Sequence, residues 1–146
     1  MPVPDLKDYL DKYGAKHTAK ARMAISVVFV GAFVSPFTTD DVWVEMERRG
    51  VDLGAMLEQA PGGHKNDIGE TILRMLKEGS IRKRQDLQPV ASTRPARNKN
   101  RVYWYEITPR WRQKVEGMFT AIPAPRASVS TPIPLEKPQL PLLEAP

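Results

Sequence analysis

The chain has 146 residues, enough for one domain with its own hydrophobic core and too few for two ordinary ones. Apolar residues make up 41% and charged residues 27%, a globular balance, and the lack of cysteine excludes disulfide frameworks, thiolate metal sites and cysteine nucleophiles. The net charge is +5, and two histidines, His17 and His64, are too few for a His-rich zinc centre.

Asp5 is placed to cap a short helix on which Leu6, Tyr9, Leu10 and Tyr13 follow helical spacing, with Gly14 as its stop. This N-terminal extension, residues 1–17, carries one narrow apolar stripe that something must cover. From Thr18 to about Phe33 the pattern is apolar nearly all round, through Met23, Ile25, Val27, Val28, Val30 and Phe33. Its β-branched content suits a buried strand as well, but its length favours a central helix. After Ser35-Pro36, Thr38 or Thr39 caps a helix whose first turn holds Asp40 and Asp41, the charge a helix start favours and a sufficient reason for the pair without catalysis. Val42, Trp43 and Met46 form its apolar side, Arg48 and Arg49 its last turn, and Gly50 its end. Asp52 caps a short segment with Leu53, Met56 and Leu57, which Pro61-Gly62-Gly63 breaks. That turn lacks the Lys-Ser/Thr of a phosphate-binding loop.

The next helix is predicted from Lys65 or Asn66 to Glu78, buried along Ile68, Ile72, Met75 and Leu76 and ended by Gly79. Ser80 to Arg84 turns extended, residues 85–100 show no periodicity, and Val102 to Ile107 reads as a strand. Together they predict a hairpin with a long basic tip, Tyr103, Tyr105 and Ile107 facing inward and Val102, Trp104 and Glu106 outward. Of the three tryptophans, Trp104 alone is placed to stack on a nucleic-acid base; packing is the first expectation for Trp43, Trp104 and Trp111. Thr108 and Pro109 open a last helix with Trp111, Val115, Met118 and Phe119 on one side. Past Ala121 the final 26 residues hold seven of the 14 prolines, which predicts an extended or disordered tail over 121–146.

The charge is uneven. Residues 82–114 hold ten basic and two acidic side chains, a net +8, whereas the rest of the chain is −3. Such a concentration reads as a contact surface for a polyanion. The longest apolar run, Ala24 to Val34, falls far short of the roughly 20 residues of a spanning helix and lies too far from the start for a signal peptide, so the expected compartment is the cytoplasm, with no membrane partner.

Two stretches carry a family likeness. Leu76-Lys-Glu-Gly79-Ser-Ile81, within Ile68 to Arg84, and Arg101-Val-Tyr-Trp-Tyr-Glu-Ile-Thr108 resemble the recognition-helix end and the second wing strand of a winged helix-turn-helix domain. The resemblance spans about residues 18–120 and is nearest in kind to MarR-type repressors and small winged-helix proteins of phages and prophages. It implies a mainly α fold with a small β-hairpin, and a DNA-binding bacterial or phage transcriptional regulator without cofactor. The recognition helix would be about 65–78 and the basic wing about 82–107. Regulators of this kind are commonly homodimers, and the stripes of residues 5–13 and 109–119 offer surfaces for pairing. With the apolar stripe buried, Lys65, Asn66, Glu70, Thr71 and Arg74 face a double-stranded DNA groove. Arg82, Lys83 and Arg84 hold phosphates, and Arg94, Arg97, Lys99 and Arg101 form a cationic finger for a narrow minor groove. The alternative is a winged-helix interaction module, with the Pro-rich tail as peptide ligand for a protein partner. No set of acid, base, nucleophile and metal ligands assembles into an enzyme site.

Overall fold

The structure is a computed structural model that describes residues 3–52, 54–55, 68–93, 101–120 and 125–135. Among these residues lie five α-helices and four short strands: α1 (Leu6–Tyr13), α2 (Ala19–Phe33), α3 (Thr39–Arg48), α4 (Ile68–Glu78), β1 (Ile81–Lys83), β2 (Val90–Ala91), β3 (Arg101–Val102), β4 (Tyr105–Ile107) and α5 (Pro109–Met118). The architecture is mainly α with a small antiparallel β-hairpin.

α2 is the central element. Thr18 caps it, its hydroxyl oxygen accepting from the Ala21 amide at 3.1 Å. Met23 and the run from Ser26 to Ala32 are buried, and α1, α3, α4, α5 and β4 all pack on it. An all-round apolar helix is stable only when it is surrounded in this way. α3 begins with a capping box: the Thr38 hydroxyl accepts from the Asp41 amide while the Asp41 carboxylate accepts from the Thr38 amide at 2.7 Å.

α1 departs from the predicted form at both ends. Asp5 holds the expected cap backbone, but its carboxylate pairs with Arg49, the residue that follows α3, and caps nothing. Gly14 stays right-handed at φ −58° and leads into a 3-10 turn, Gly14–Lys16. The chain is turned there by Arg22, whose guanidinium donates to the Gly14 and His17 carbonyls at 2.9 and 2.7 Å. The apolar stripes of α1 and α5 are covered in part by the chain's own core, with Tyr9, Leu10, Tyr13, Trp111 and Met118 only partly buried. Leu6, Val115 and Phe119 are buried in the common core, Tyr9 meets Phe119 with ring centroids 5.6 Å apart, and Val3 pairs with Phe119 in parallel.

α4 ends in a Schellman turn: the Ser80 amide donates to the Met75 carbonyl and the Gly79 amide to that of Leu76. Gly79 sits at φ +82° with nothing within 4 Å of where a Cβ would stand, so conformation, not space, requires glycine. Gly79→Ala is expected to cost about 1–2 kcal/mol in urea unfolding. Gly117→Ala, equally uncrowded but inside α5, is expected to stabilise by about 0.5–1 kcal/mol.

β1 and β4 pair as Ile81 with Ile107, Arg82 with Glu106 and Lys83 with Tyr105. On the other edge of β4, Phe37 exchanges both backbone hydrogen bonds with Tyr105 at 2.9 and 2.8 Å. The stretch read as aperiodic holds a second ladder, β2 with β3, pairing Val90 with Val102 and Ala91 with Arg101. The predicted strand 102–107 is broken at 103–104, and the break moves the inward face by one residue. Val102 and Trp104 are buried before it, Tyr105 and Ile107 after it, while Tyr103 is 42% exposed. Burial of the Trp104 indole, whose Nε1 donates to the Gln88 carbonyl at 2.9 Å, takes the inward place expected for Tyr103.

Residues 125–135 run extended over the body. The Arg126 amide donates to the Phe33 carbonyl at 2.9 Å, the Gln88 amide to that of Ile133 at 2.8 Å, and the Leu135 amide to that of Asp86 at 2.8 Å.

Candidate nucleic-acid interface

Helical spacing puts Glu70, Leu73, Arg74 and Lys77 on one side of α4, opposite the buried Ile68, Ile72 and Met75. Glu70 and Lys77 are exposed and Arg74 is half-buried. Thr71, expected among the exposed contacts, is buried, because it stands three residues after Ile68 and four before Met75 and so joins their stripe. Leu76, expected to be buried, is half-buried. Leu73, 62% exposed, and Lys77 belong to the outer face and were absent from the expected contacts; stepping three and seven positions on from Glu70 marks both.

The hairpin carries four described cations, Arg82, Lys83, Arg84 and Arg101, against two carboxylates, Asp86 and Glu106. Arg82 pairs with Glu106 directly across the ladder, and Arg84 reaches the same carboxylate at 3.3 Å. Arg84 also holds Asp86 in a two-point fork, Nε to Oδ1 at 2.8 Å and Nη2 to Oδ2 at 2.7 Å. Lys83 lies 3.8 Å over the exposed Tyr103 ring, forming a cation–π pair on the outer surface. Arg101 is exposed, with Nη1 3.3 Å from the Pro89 carbonyl. Neither Lys83 nor Arg101 has an ion-pair partner among the described residues. Lys65, Asn66, Arg94, Arg97 and Lys99 lie outside the described residues.

The fork has an electrochemical signature. Hydrogen bonding from Arg84 is the main influence on Asp86 and holds its carboxyl at about 2, below the ordinary value of 3.8. A lowered folded-state pKa means the pair's stabilisation is present above the ordinary value and disappears as pH falls through about 2. An NMR titration is expected to place the Asp86 midpoint near 2, and Arg84→Ala to return it to the usual carboxylate range. Burial, and secondarily Tyr103, raises the Tyr105 hydroxyl above its ordinary value.

What holds the hairpin to the helices was not legible as a site. Asp40, fully buried in the first turn of α3, accepts from the Ser92 hydroxyl at 2.8 Å, the Thr93 amide at 2.8 Å and the Thr93 hydroxyl at 3.3 Å. Its neighbour Asp41 accepts from the Ser128 hydroxyl at 2.6 Å and the Val129 amide at 2.9 Å. The pair's place at a helix start was read correctly, but it also ties in two distant segments. Thr108 likewise precedes α5 without capping it; its hydroxyl lies 3.0 and 3.1 Å from the Gly79 and Ser80 carbonyls, joining the end of β4 to the turn after α4.

No helix of the described residues is long and apolar enough to cross a membrane. The chain has no significant match among known protein families, curated proteins or solved structures.

Proposed function

We propose that this protein binds duplex DNA as a winged helix-turn-helix domain, with the outer face of α4 in the major groove and the β1–β4 hairpin as a wing on the adjacent backbone. The observation that carries the reading is the junction at Gly79, which sets a cation-bearing hairpin directly beside a helix. An α-helix fits the major groove, and a basic strand tip reaches neighbouring phosphates. The element order supports it: helix, Phe37 bridge, two helices, then a hairpin whose second strand pairs with both Phe37 and β1. The protein would act as a bacterial or phage regulator, by occupying a site rather than by chemistry. Arg74 and Glu70 are the described base-edge candidates, and Lys83 and Arg101 the cations most available to phosphate.

Salt dependence tests the reading. Apart from Arg74, assigned to base edges, eight basic side chains, Lys65, Arg82, Lys83, Arg84, Arg94, Arg97, Lys99 and Arg101, belong to the proposed surface. With all eight on phosphates the slope of log K against log salt is about −7, and with Arg82 and Arg84 kept by their carboxylates about −5. Duplex affinity should thus fall by about three to four decades between 50 and 200 mM salt. A flat titration, or equal binding to single strands, rejects the proposal.

A second reading, a docking module for another protein, is favoured by one observation. Val129, Ile133 and Leu135 of the extended segment present their side chains to solvent, as a peptide ligand for an apolar groove does. Alanine at Arg94, Arg97, Lys99 and Arg101 separates the two. The first reading expects lost DNA affinity with folding intact, the second an unchanged protein complex.

A further inference from the structure

We infer that residues 125–135 are a brace that positions the hairpin, with Asp41 as its catch; the inference rests on the nucleic-acid reading for its purpose, though not for its geometry. Asp40 and Asp41 are consecutive in the first turn of α3 and serve different segments. Asp40 holds Ser92 and Thr93 of the hairpin, while Asp41 holds Ser128 and Val129 of the C-terminal segment. Six residues further on, that segment meets the hairpin from the other side. The Gln88 amide donates to the Ile133 carbonyl, the Leu135 amide donates to the Asp86 carbonyl, and Leu87 pairs with Pro134. The contacts close a ring: α3 to residues 92–93, along the hairpin to 86–88, across to 133–135, back along the segment to 128–129, and into α3 again.

Three features separate a brace from a mere cover. The large apolar side chains Val129, Ile133 and Leu135 point to solvent, so the segment contributes hydrogen bonds more than buried area. Pro132 fixes φ between the anchor at 128–129 and the hairpin contacts at 133–135, and Pro134 does so within the latter. Its near end is anchored independently of the hairpin, by the Arg126 amide on the Phe33 carbonyl and the Arg126 guanidinium on Glu45 and over the Phe33 ring at 5.1 Å. Ser128 and Val129 are thus positioning residues, acting on the interface through Asp41.

The test is made on the full chain carrying Ser128→Ala with Val129→Pro, which removes both of the segment's donors to Asp41 and leaves the capping box with Thr38 in place. Amide exchange should quicken at least tenfold at Gln88 and Thr93 while Val30 in α2 keeps its rate. Ser128→Thr, which retains the hydroxyl, should leave all three at native rates. On DNA, the slope of log K against log salt should shrink by about one to two as hairpin phosphate contacts lose their register. Unchanged exchange at Gln88 and Thr93, or equal acceleration at Val30, overturns the brace. The exchange readout needs no DNA. Quickened hairpin amides in a chain that never binds DNA would reject the nucleic-acid reading and keep the brace; tight DNA binding with unmoved hairpin amides would do the reverse. If the double variant does not fold, Leu135→Pro removes the donor to the Asp86 carbonyl at the far end and is read by the same amides.

Discussion

Trp104→Ala is expected to lower stability by about 3–5 kcal/mol, the range for deleting a fully buried large aromatic side chain. Trp104 is 1% exposed and, like Leu87 and Val102, is buried outside the main hydrophobic cluster. The Gln88 carbonyl also loses its indole donor. Against a typical total of about 5–15 kcal/mol this is a large fraction, and it corresponds to a fall of roughly 6–20 °C in melting temperature. Trp104→Phe restores most of the packing but not the donor, and about 1–2 kcal/mol is expected. Urea unfolding of the full chain measures both. A loss below 1 kcal/mol for the alanine variant would mean that the indole does not sit under the hairpin.

Asp40→Ala is expected to cost about 2–4 kcal/mol. The carboxylate is inaccessible to solvent and accepts three hydrogen bonds, and its removal takes an acceptor from the Ser92 hydroxyl and from the Thr93 amide and hydroxyl. Asp40→Asn keeps one acceptor oxygen but loses the charge that favours the start of α3, so an intermediate loss is expected. A double-mutant cycle with Ser92→Ala isolates the link between helix and hairpin; coupling of about 1–2 kcal/mol is expected, and additive losses would show that the two side chains act separately. Asp41→Ala is a poorer probe, since it removes the capping box of α3 as well.

Elements bounded by local chemistry were legible in the sequence. Thr18, Thr38, Gly50, Gly79 and the Thr108-Pro109 pair mark their helix ends within a residue or so, because caps and positive-φ glycines act on their immediate neighbours. The hairpin was legible in outline, from the aromatic strand and the glycine before it. Partners far apart in the chain were not. Asp40 and Ser92 are 52 residues apart, and Asp41 and Ser128 are 87 apart; no periodicity announces either pairing. The break at Tyr103–Trp104 failed for a related reason. Strict alternation assumes an unbroken strand, whereas a distant carbonyl at Gln88 drew the indole inward. For the interface, a count of charges groups the cations but says nothing of Glu106 lying directly across from Arg82.

The second ladder has a practical corollary. Val90 to Ala91 and Arg101 to Val102 seal the hairpin below its tip, and Asp40 fastens Ser92 and Thr93 at the point where the chain leaves that seal. Chain inserted between Thr93 and Arg101 is therefore expected to leave the ladder and the Asp40 link in place, and urea unfolding of an insertion variant at native stability would bear this out.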